Sequence, residues 1–500
     1  MKGKGSPLIS RRIHNRTVTF SAVLTLGLLF FLFLLRIALL VHESTIICTS
    51  LGCLGWTLSG GSDSALLREE LTRALLEVTS IDGYVKGIRG EDGSTSVTAS
   101  FNDLVKEMSP NRQENIKTFA IKAKATILKM EQIAQSIKKQ ESFYWHMASH
   151  GVPKWMQCLS LKLAAQYSMN ATARSRLPSP EYFPHLIDAS LQHLVLFTDN
   201  VLAASVVISS VIKSAMSPER MVFHVVTDKK TYTAMHAWFA MNPISSAVVE
   251  VKGLHQYDIP HRVSIGIKQM LEIHRLVWGH KFDGIKRTVD PFSVLNHLHI
   301  YIPQLFPDLN KIVFLDDDIV VQHDLSPLWD VDLNGKVVGA VFDSSCGYGC
   351  CPGRKYKDYL NFTHPIVSSS KLDENSCVWL YGMNIFDLQA WRKANIIATY
   401  HQWLHYNLNS GFELWRPGAL APTLIAFEGN VQPIDPSWHV AGLGNRVQQV
   451  DESDLEAANV IHFSGPAKPW LEIAAPELRS LWSQYVNFSN EFVKECGIVG

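Results

Sequence analysis

The sequence has no excess of charge of either sign. Of its 500 residues, 46 are Lys or Arg and 46 are Asp or Glu, so the formal net charge at pH 7 is zero. Proteins that bind DNA or RNA through phosphates normally carry a positive excess. The composition therefore gives no global electrostatic reason to expect a nucleic-acid partner, although a neutral total is compatible with a local basic groove.

Cysteine is scarce, with eight residues in the chain. Cys346, Cys350 and Cys351 lie close together, but they lack the C-x-x-C spacing and a neighbouring histidine that a tetrahedral zinc site requires. Disulfides or buried thiols are the better interpretation. Cys48 and Cys53 could close a small loop, but the pattern leaves the connectivity open.

Charge is almost absent from one segment near the N-terminus. Residues 20–41 form a 22-residue apolar run that contains a single charge, Arg36. About 20 apolar residues span a bilayer. Five basic residues precede the run and the first acid is Glu43, which predicts a cytosolic N-terminus and a lumenal main body. Because residues 37–43 offer no clear cleavage site, we predict an uncleaved anchor rather than a signal peptide.

Between the apolar run and about residue 188, the pattern is mainly helical. Apolar residues recur at helical spacing within 112–150. We interpret this region as a lumenal stem, and the alternative is a helical subdomain packed on the main domain. The predicted organisation is a cytosolic tail at 1–19, a type II transmembrane signal anchor at 20–42, the stem at 43–188 and the main domain at 189–500. Three glycosylation triplets lie on the predicted lumenal side, at Asn170, Asn361 and Asn487.

The main domain shows the pattern of an α/β fold. A strand at 191–197, a helix at 200–213 and a strand at 221–226 form a βαβ unit, which predicts a parallel sheet. Further elements are a helical stretch at 296–304 and strands at 247–252, 312–315, 337–342 and 459–463. We predict an open sheet with helices on both faces, with its ligand at the carboxyl ends of the strands.

Three consecutive carboxylates, Asp316, Asp317 and Asp318, follow one of these apolar strands. In an extended chain Asp316 and Asp318 point to one side and Asp317 to the other. Two carboxylates on one side suit a hard cation such as Mg²⁺ or Mn²⁺. A solvated acidic turn is the alternative interpretation of the same residues.

Two other segments carry residues that complement a cation-bound phosphate. In HFSGPAKPW, His462 could supply a nitrogen ligand, Gly465 permits close backbone approach to a ligand, and Lys468 offers a positive charge. The second segment follows the first predicted strand and opens its helix, where polar side chains and free amides suit a nucleotide. Its polar residues are Thr198, Asp199 and Asn200.

These motifs together resemble those of the plant galacturonosyltransferases, within the retaining nucleotide-sugar glycosyltransferases that include glycogenin. The resemblance covers about residues 190–495 and includes FTDNVLAASVV, LDDDIVV, YGMNIFDLQAWR, PSWHVAGLG and HFSGPAKPW. It implies a GT-A-type fold with a mixed, mainly parallel sheet. It also implies a Golgi type II membrane enzyme that transfers galacturonate from UDP-galacturonate to a pectic, homogalacturonan-type acceptor. The transfer would retain configuration and form α-1,4 linkages in cell-wall pectin biosynthesis.

The resemblance also implies roles for single residues. Asp316, Asp318 and His462 would bind Mn²⁺ or Mg²⁺, with Asp317 behind them or held by its backbone. Lys468 and Gly465 would bind the diphosphate, and Thr198 to Asn200 the nucleoside. Gly382, Met383 and Asn384 would border the donor sugar, and the catalytic set would be Asp316, Asp318, Lys468 and Asn384. His299 stands where the family has an arginine that is aimed at the donor.

Some features leave alternatives to this interpretation. Arg354 and Lys355 are candidates to bind the donor carboxylate, and a solvated basic loop is the other interpretation of both. His299, together with Ala421 in place of a proline, is compatible with a non-catalytic scaffold or anchor subunit that acts with other galacturonosyltransferase-like proteins. A phosphohydrolase with an aspartyl nucleophile fits less well, because a complete βαβ unit precedes the carboxylates.

Overall fold

The computed structural model describes residues 151–244, 246–281, 295–342, 355–415, 420–445 and 452–499. The predicted tail, the predicted anchor and the stem as far as residue 150 lie outside the described residues, as do Arg354 and the cysteines at 48, 53, 346, 350 and 351. A search of the described part found no helix with the length and hydropathy that a membrane span requires.

Seven strands form the main sheet: β1 (Gln192–Phe197), β2 (Met221–Thr227), β3 (Val248–Gly253), β4 (Lys311–Leu315), β6 (Val338–Ala340), β7 (Met383–Asp387) and β8 (Val431–Pro433). Their order across the sheet is β3-β2-β1-β4-β7-β6-β8. The pairs β1–β2, β2–β3, β1–β4 and β6–β8 are parallel, whereas β7 runs antiparallel to both β4 and β6. The predicted mixed, mainly parallel α/β sheet is therefore confirmed, but the place of its antiparallel strand, near the middle, was not predicted.

Both faces of this sheet are covered. Every residue of β1 and β2 is buried. Leu194 and Leu196 of β1 belong to one hydrophobic core, and Val195 and Phe197 belong to a second core on the other face. Continuous apolar runs are typical of strands buried on two faces, which is why the βαβ unit could be predicted closely.

The described helices surround the sheet, and four of them have 14 or more residues. They are α1 (Lys154–Met169), α2 (Val201–Ser214), α3 (Tyr232–Met241), α4 (His261–Lys281), α5 (Ile302–Leu305), α6 (Tyr356–Tyr359), α7 (Pro365–Ser368), α8 (Leu388–Lys393), α9 (Ile396–Asn409), α10 (Leu420–Ala426), α11 (Glu452–Ala457), α12 (Pro476–Ser483) and α13 (Glu491–Glu495). The helical stretch predicted at 296–304 is broken into two 3₁₀ turns followed by α5.

Helix α1 belongs to the domain core, although it precedes residue 189. Leu159 and Leu163 are buried in the same hydrophobic core as β1 and α2. A disulfide joins Cys158 to Cys496, and Lys162 forms an ion pair with Glu495 at 2.6 Å. The packed domain therefore includes the described residues from Lys154 onward.

A second, three-stranded sheet adjoins the main one. It contains β5 (Ile319–Val321), β10 (Val460–His462) and β9 (Val440–Ala441), in that order. Strand β10 is antiparallel to β5 and parallel to β9. The strand predicted at 459–463 is therefore present, but its expected place in the main sheet was wrong. This small sheet brings the C-terminal part of the chain beside the end of β4.

Candidate active site

Two aspartates and a histidine converge where β4 ends. One ligand atom from each of Asp316, Asp318 and His462 lies within 4.8 Å of the others. His462 Nε2 is 3.0 Å from Asp318 Oδ1 and 3.7 Å from Asp316 Oδ2. The antiparallel pairing of β10 with β5 sets this geometry, because it places His462 opposite Ile319. Asp318 and His462 are buried, and the Asp316 side chain is 29% exposed.

Asp317 points away from Asp316 and Asp318 as expected, but a turn rather than an extended strand is the reason. Strand β4 ends at Leu315, the chain turns at residues 317–318, and β5 begins at Ile319, so the extended chain assumed for these carboxylates was wrong. The Asp316 N–H donates to Gly382 O at 2.7 Å, and the Phe463 N–H donates to Asp318 O at 2.8 Å. These two bonds attach the turn to the residue before β7 and to the residue after β10.

Gly382 lies directly against the metal-ligand candidates. Its φ is +115°, and a Cβ there would lie 2.7 Å from Asp316 Oδ2 and 2.9 Å from His462 Nδ1. Any larger residue would therefore separate these groups. Asn384 holds the backbone around Gly382 in place. Its Oδ1 accepts from the Gly382 N–H at 3.1 Å, and its Nδ2 donates to Leu380 O at 2.9 Å.

Two of the residues that were predicted to border the donor sugar are buried. Asn384 is fully buried and its amide is used by the backbone of the turn, and Met383 is fully buried in a hydrophobic core. Strand β7 alternates its side chains between two covered faces, which leaves both residues inside the protein. Of the three, Gly382 alone contacts the aspartate and histidine cluster.

Lys468 completes the cluster, and Gly465 allows its segment to pack. The Lys468 ammonium donates a short charge-assisted hydrogen bond to Asp318 Oδ2. Gly465 has a φ of +123°, and a Cβ there would lie 2.5 Å from the carbonyl carbon of Gly444. The close approach expected at Gly465 is thus an approach to the protein's own backbone.

The three aspartates of this cluster carry more negative charge than Lys468 and His462 can balance. Burial opposes ionisation of Asp318, but His462 and Lys468 outweigh burial and hold its pKa well below the ordinary value. Burial and the charge of Asp318 raise the pKa of Asp316 to about 6 and that of Asp317 to about 7. Carboxylates that hinder each other's ionisation ionise more readily when a cation lies beside them. Two carboxylates and an imidazole are a suitable donor set for Mn²⁺ or Mg²⁺.

The predicted nucleoside segment lies beside the same aspartates. Thr198 Oγ1 donates to Asp317 Oδ2 at 2.6 Å and accepts from the Asn200 N–H at 2.9 Å. Asn200 Oδ1 caps α2 by accepting from the Ala203 N–H at 3.2 Å. The buried Asn200 Nδ2 has no hydrogen-bond partner within the part of the chain that is described, and Asp199 is exposed. The segment therefore presents a free donor group next to the acidic turn.

His299 lies in an aromatic enclosure at this end of the sheet. Its ring stacks on Phe197 with centroids 5.5 Å apart, and it also contacts Phe314 at 4.8 Å and Tyr381 at 5.1 Å. Burial lowers the pKa of His299 to about 3, so the ring is neutral at pH 7, unlike the arginine that the family has at this position.

Two neighbouring residues were missed by the sequence interpretation. The Tyr381 hydroxyl is buried, and among the described residues it has no hydrogen-bond partner. His439 is buried, with its Nε2 2.9 Å from Nδ1 of His462. Both belong to the quoted motifs YGMN and PSWHVAGLG, so the motifs signalled them, but no chemistry had been assigned to either.

Two further predicted positions are not part of this cluster as described. Ala421 is buried within α10, where it packs in a hydrophobic core. Lys355 pairs with Cys377 in an isolated antiparallel bridge.

Comparison with known proteins relates this geometry to a family. Residues 158–474 match the family model described as "Glycosyl transferase family 8". A protein of Arabidopsis thaliana named "Probable galacturonosyltransferase 14" is 43% identical, over 98% of this chain and 94% of its own length. "Probable galacturonosyltransferase 12" of the same plant is 40% identical, over 99% of this chain and 96% of its own length.

Among solved structures, the galactosyltransferase LgtC in complex with donor and acceptor sugar analogues is 16% identical, covers 61% of this chain and 100% of its own, and has a TM-score of 0.41. The family match spans more than half of the chain, and the two plant relatives are similar over nearly its whole length. The chain therefore belongs to glycosyl transferase family 8 and, within it, to the galacturonosyltransferases that its motifs resemble.

Proposed function

We propose that this protein transfers galacturonate from UDP-galacturonate to a homogalacturonan-type pectic acceptor. The transfer retains the anomeric configuration and forms α-1,4 linkages, as part of pectin biosynthesis in the cell wall. The observation that carries the proposal is the convergence of Asp316, Asp318, His462 and Lys468 beside the Thr198–Asn200 segment. The names of the plant relatives supply the donor sugar class.

Asp316, Asp318 and His462 are the residues that would hold the divalent cation, Mn²⁺ or Mg²⁺. When bound, such a cation neutralises the charge that develops on a departing nucleoside diphosphate. Lys468 lies against Asp318 with its side chain 32% exposed, so its ammonium can reach a phosphate oxygen outside the protein core. Gly382 keeps the ligand atoms together, since a side chain there would collide with them.

The nucleoside would lie at the carboxyl ends of β1 and β2, where open α/β sheets bind their ligands. The unpartnered Nδ2 group of Asn200 is available there as a donor, and Thr227 at the end of β2 has a buried hydroxyl that lacks a partner among the described residues. Tyr381 offers a similar hydroxyl beside Asp316. These groups supply directional hydrogen bonds that a bound nucleotide sugar would satisfy.

We place the protein in the Golgi membrane as a single-pass type II protein with a lumenal catalytic domain. The predicted anchor at 20–42 and the basic residues before it support this orientation. The Cys158–Cys496 disulfide supports an oxidising compartment. Glycosylation at Asn170, Asn361 and Asn487 is expected on the same basis.

The test is a transfer assay with the full-length protein in detergent. The protein is incubated with UDP-galacturonate, Mn²⁺ and oligogalacturonides, and the products are measured by mass spectrometry. Mass increments of one uronate are expected, and they should disappear in Asp318→Asn. If the protein binds UDP with Mn²⁺ but yields no increments, the catalytic proposal is contradicted and the non-catalytic scaffold is favoured.

A further inference from the structure

The imidazole of His462 contacts a second imidazole on the side away from the aspartates. His439 immediately precedes β9, which pairs in parallel with β10, and the two rings lie nearly parallel and edge to edge, with centroids 5.1 Å apart and an interplanar angle of 16°. His439 Nε2 lies 2.9 Å from His462 Nδ1. Both rings are almost fully buried. One nitrogen of His462 therefore faces the aspartates while the other faces His439.

The contact between the two imidazoles determines which nitrogen of His462 carries the proton. A histidine binds a metal through a nitrogen that carries a lone pair, and its other nitrogen then carries the proton. His462 Nε2 faces Asp318, so a cation there requires the proton to be on Nδ1. The Nδ1–H would then donate to His439 Nε2. When no cation is present, the same pair can reverse, with His462 Nε2–H donating to Asp318 and His439 Nε2–H donating to His462.

A second observation points away from a packing role for His439. Its other nitrogen, Nδ1, is buried and has no hydrogen-bond partner within the described ranges. A buried polar atom without a partner destabilises the folded state, and an apolar side chain of similar size would avoid that penalty. The polar group is therefore explained by its contact with His462 rather than by the core around it.

We propose that His439 is a positioning residue that fixes the tautomer and ring orientation of His462, so that Nε2 is presented to a divalent cation. The proposal rests on the metal site of the proposed function. Metal-binding histidines commonly use a carboxylate or a backbone carbonyl for this contact. An imidazole differs because it can either accept or donate, which allows the contact to persist with and without the cation.

The experiment measures Mn²⁺ affinity of the full-length protein without any nucleotide sugar, by isothermal titration calorimetry and by the electron paramagnetic resonance signal of free Mn²⁺. His439→Gln places an amide oxygen near the position of Nε2, whereas His439→Asn is shorter and cannot reach His462. His439→Asn is expected to weaken Mn²⁺ binding by about 10- to 100-fold, the usual effect of losing such a contact. His439→Gln is expected to recover most of the affinity.

His236→Phe is the matched control. His236 is another buried histidine, and it bonds Ala173 O at 3.2 Å within the hydrophobic core, on a different element. Its loss should lower the unfolding temperature and leave Mn²⁺ affinity unchanged. This control separates a general loss of stability from an effect on the metal site.

The outcomes distinguish this inference from the proposed function. Wild-type affinity in His439→Asn would overturn it, and so would an equal loss in His439→Gln and His439→Asn, because the acceptor atom would then be irrelevant. Unchanged Mn²⁺ affinity in both variants with normal galacturonosyl transfer leaves the proposed function intact. A wild-type protein that binds no Mn²⁺ overturns the metal assignment and this inference together.

Discussion

Two buried polar clusters on the described domain differ in how their charges are balanced. The cluster at the end of β4 holds three aspartates against one lysine and one histidine. Within β1, β2 and β3, His193 Nδ1 lies 3.0 Å from His224 Nε2, and His224 Nδ1 lies 2.7 Å from Glu250 Oε2. The carboxylates of the first cluster repel one another, whereas in the second cluster every histidine nitrogen has a partner.

We call the group of His193, His224 and Glu250 the inner cluster. The hydrogen atoms on its imidazoles can be assigned from its hydrogen-bond partners. Asp188 O accepts from His193 Nε2–H at 2.9 Å, so His193 Nδ1 accepts from His224. His224 then donates to His193 from Nε2, and its Nδ1 contacts the Glu250 carboxylate. Burial opposes ionisation of Glu250, but the bond from His224 holds its pKa below the ordinary value. A buried cluster whose groups pair with one another is typical of a structural role, whereas uncompensated charge in a cleft is typical of a ligand site.

The largest effect should come from removing charge at the end of β4. Asp318→Asn removes the carboxylate that both His462 and Lys468 contact. We expect galacturonosyl transfer to fall by at least about 10²–10³-fold, the scale of losing one electrostatic contact to the transition state. Mn²⁺ affinity measured by calorimetry should fall as well. Asp308→Asn, at an exposed aspartate near the opposite end of β4, should leave both unchanged.

The same kind of change in the inner cluster should affect stability and spare the metal site. Glu250→Gln leaves His224 buried without its negative partner, which should cost about 3 kcal/mol in the free energy of unfolding. Mn²⁺ affinity at 25 °C should be unchanged. Denaturant unfolding and calorimetry together check this result, and a parallel loss of Mn²⁺ affinity would contradict the separation of the two clusters.

A smaller effect is expected from the glycine that brings the ligand atoms together. Gly382→Ala combines a strained φ with a collision against Asp316 and His462, for about 1–3 kcal/mol of stability and a clear loss of Mn²⁺ affinity. Gly335→Ala is the matched control, since Gly335 has a φ of +71° but a Cβ added there would meet no atom within 4 Å. If both variants lose equal Mn²⁺ affinity, the collision is not the cause.

The smallest effect concerns pH and the inner cluster. Burial and then the neighbouring His224 lower the pKa of His193 to about 4, below the value near 6.5 of an unfolded chain. The unfolded state therefore takes up the proton first, so this stability is complete above pH 6.5 and is lost as the pH falls toward 4. His193→Gln should reduce the slope of unfolding free energy against pH by at most about 1.4 kcal/mol per unit. An unaltered slope between pH 6 and 4.5 would argue against a neutral His193.

The sequence predicted the first half of the fold well, for a clear physical reason. The strands β1 and β2 are continuous apolar runs that are covered on both faces, so their ends differ from the prediction by no more than a residue. Asn200 was predicted to open the following helix and it caps α2. The chemistry of Asp316, Asp318 and His462 was also predicted, because carboxylates and histidine at strand ends are unusual in an apolar context.

Other parts of the site could not be inferred from local pattern. Met383 and Asn384 were expected beside the donor, but the antiparallel insertion of β7 buries both. The charge state of His299 depends on rings contributed by β1, β4 and the turn before β7. The predicted anchor and most of the predicted stem lie outside the described residues and stay predictions.

The sequence by itself determined which residues are chemically able to hold a cation and a diphosphate, since the side-chain types and their positions after apolar strands are local properties. Only the tertiary structure decided that a turn, rather than an extended strand, separates Asp317 from its neighbours. It also decided that a second sheet carries His462 to them and that His439 lies behind it. These features depend on pairing between segments that are distant along the chain, and the residues within each segment do not encode its partner.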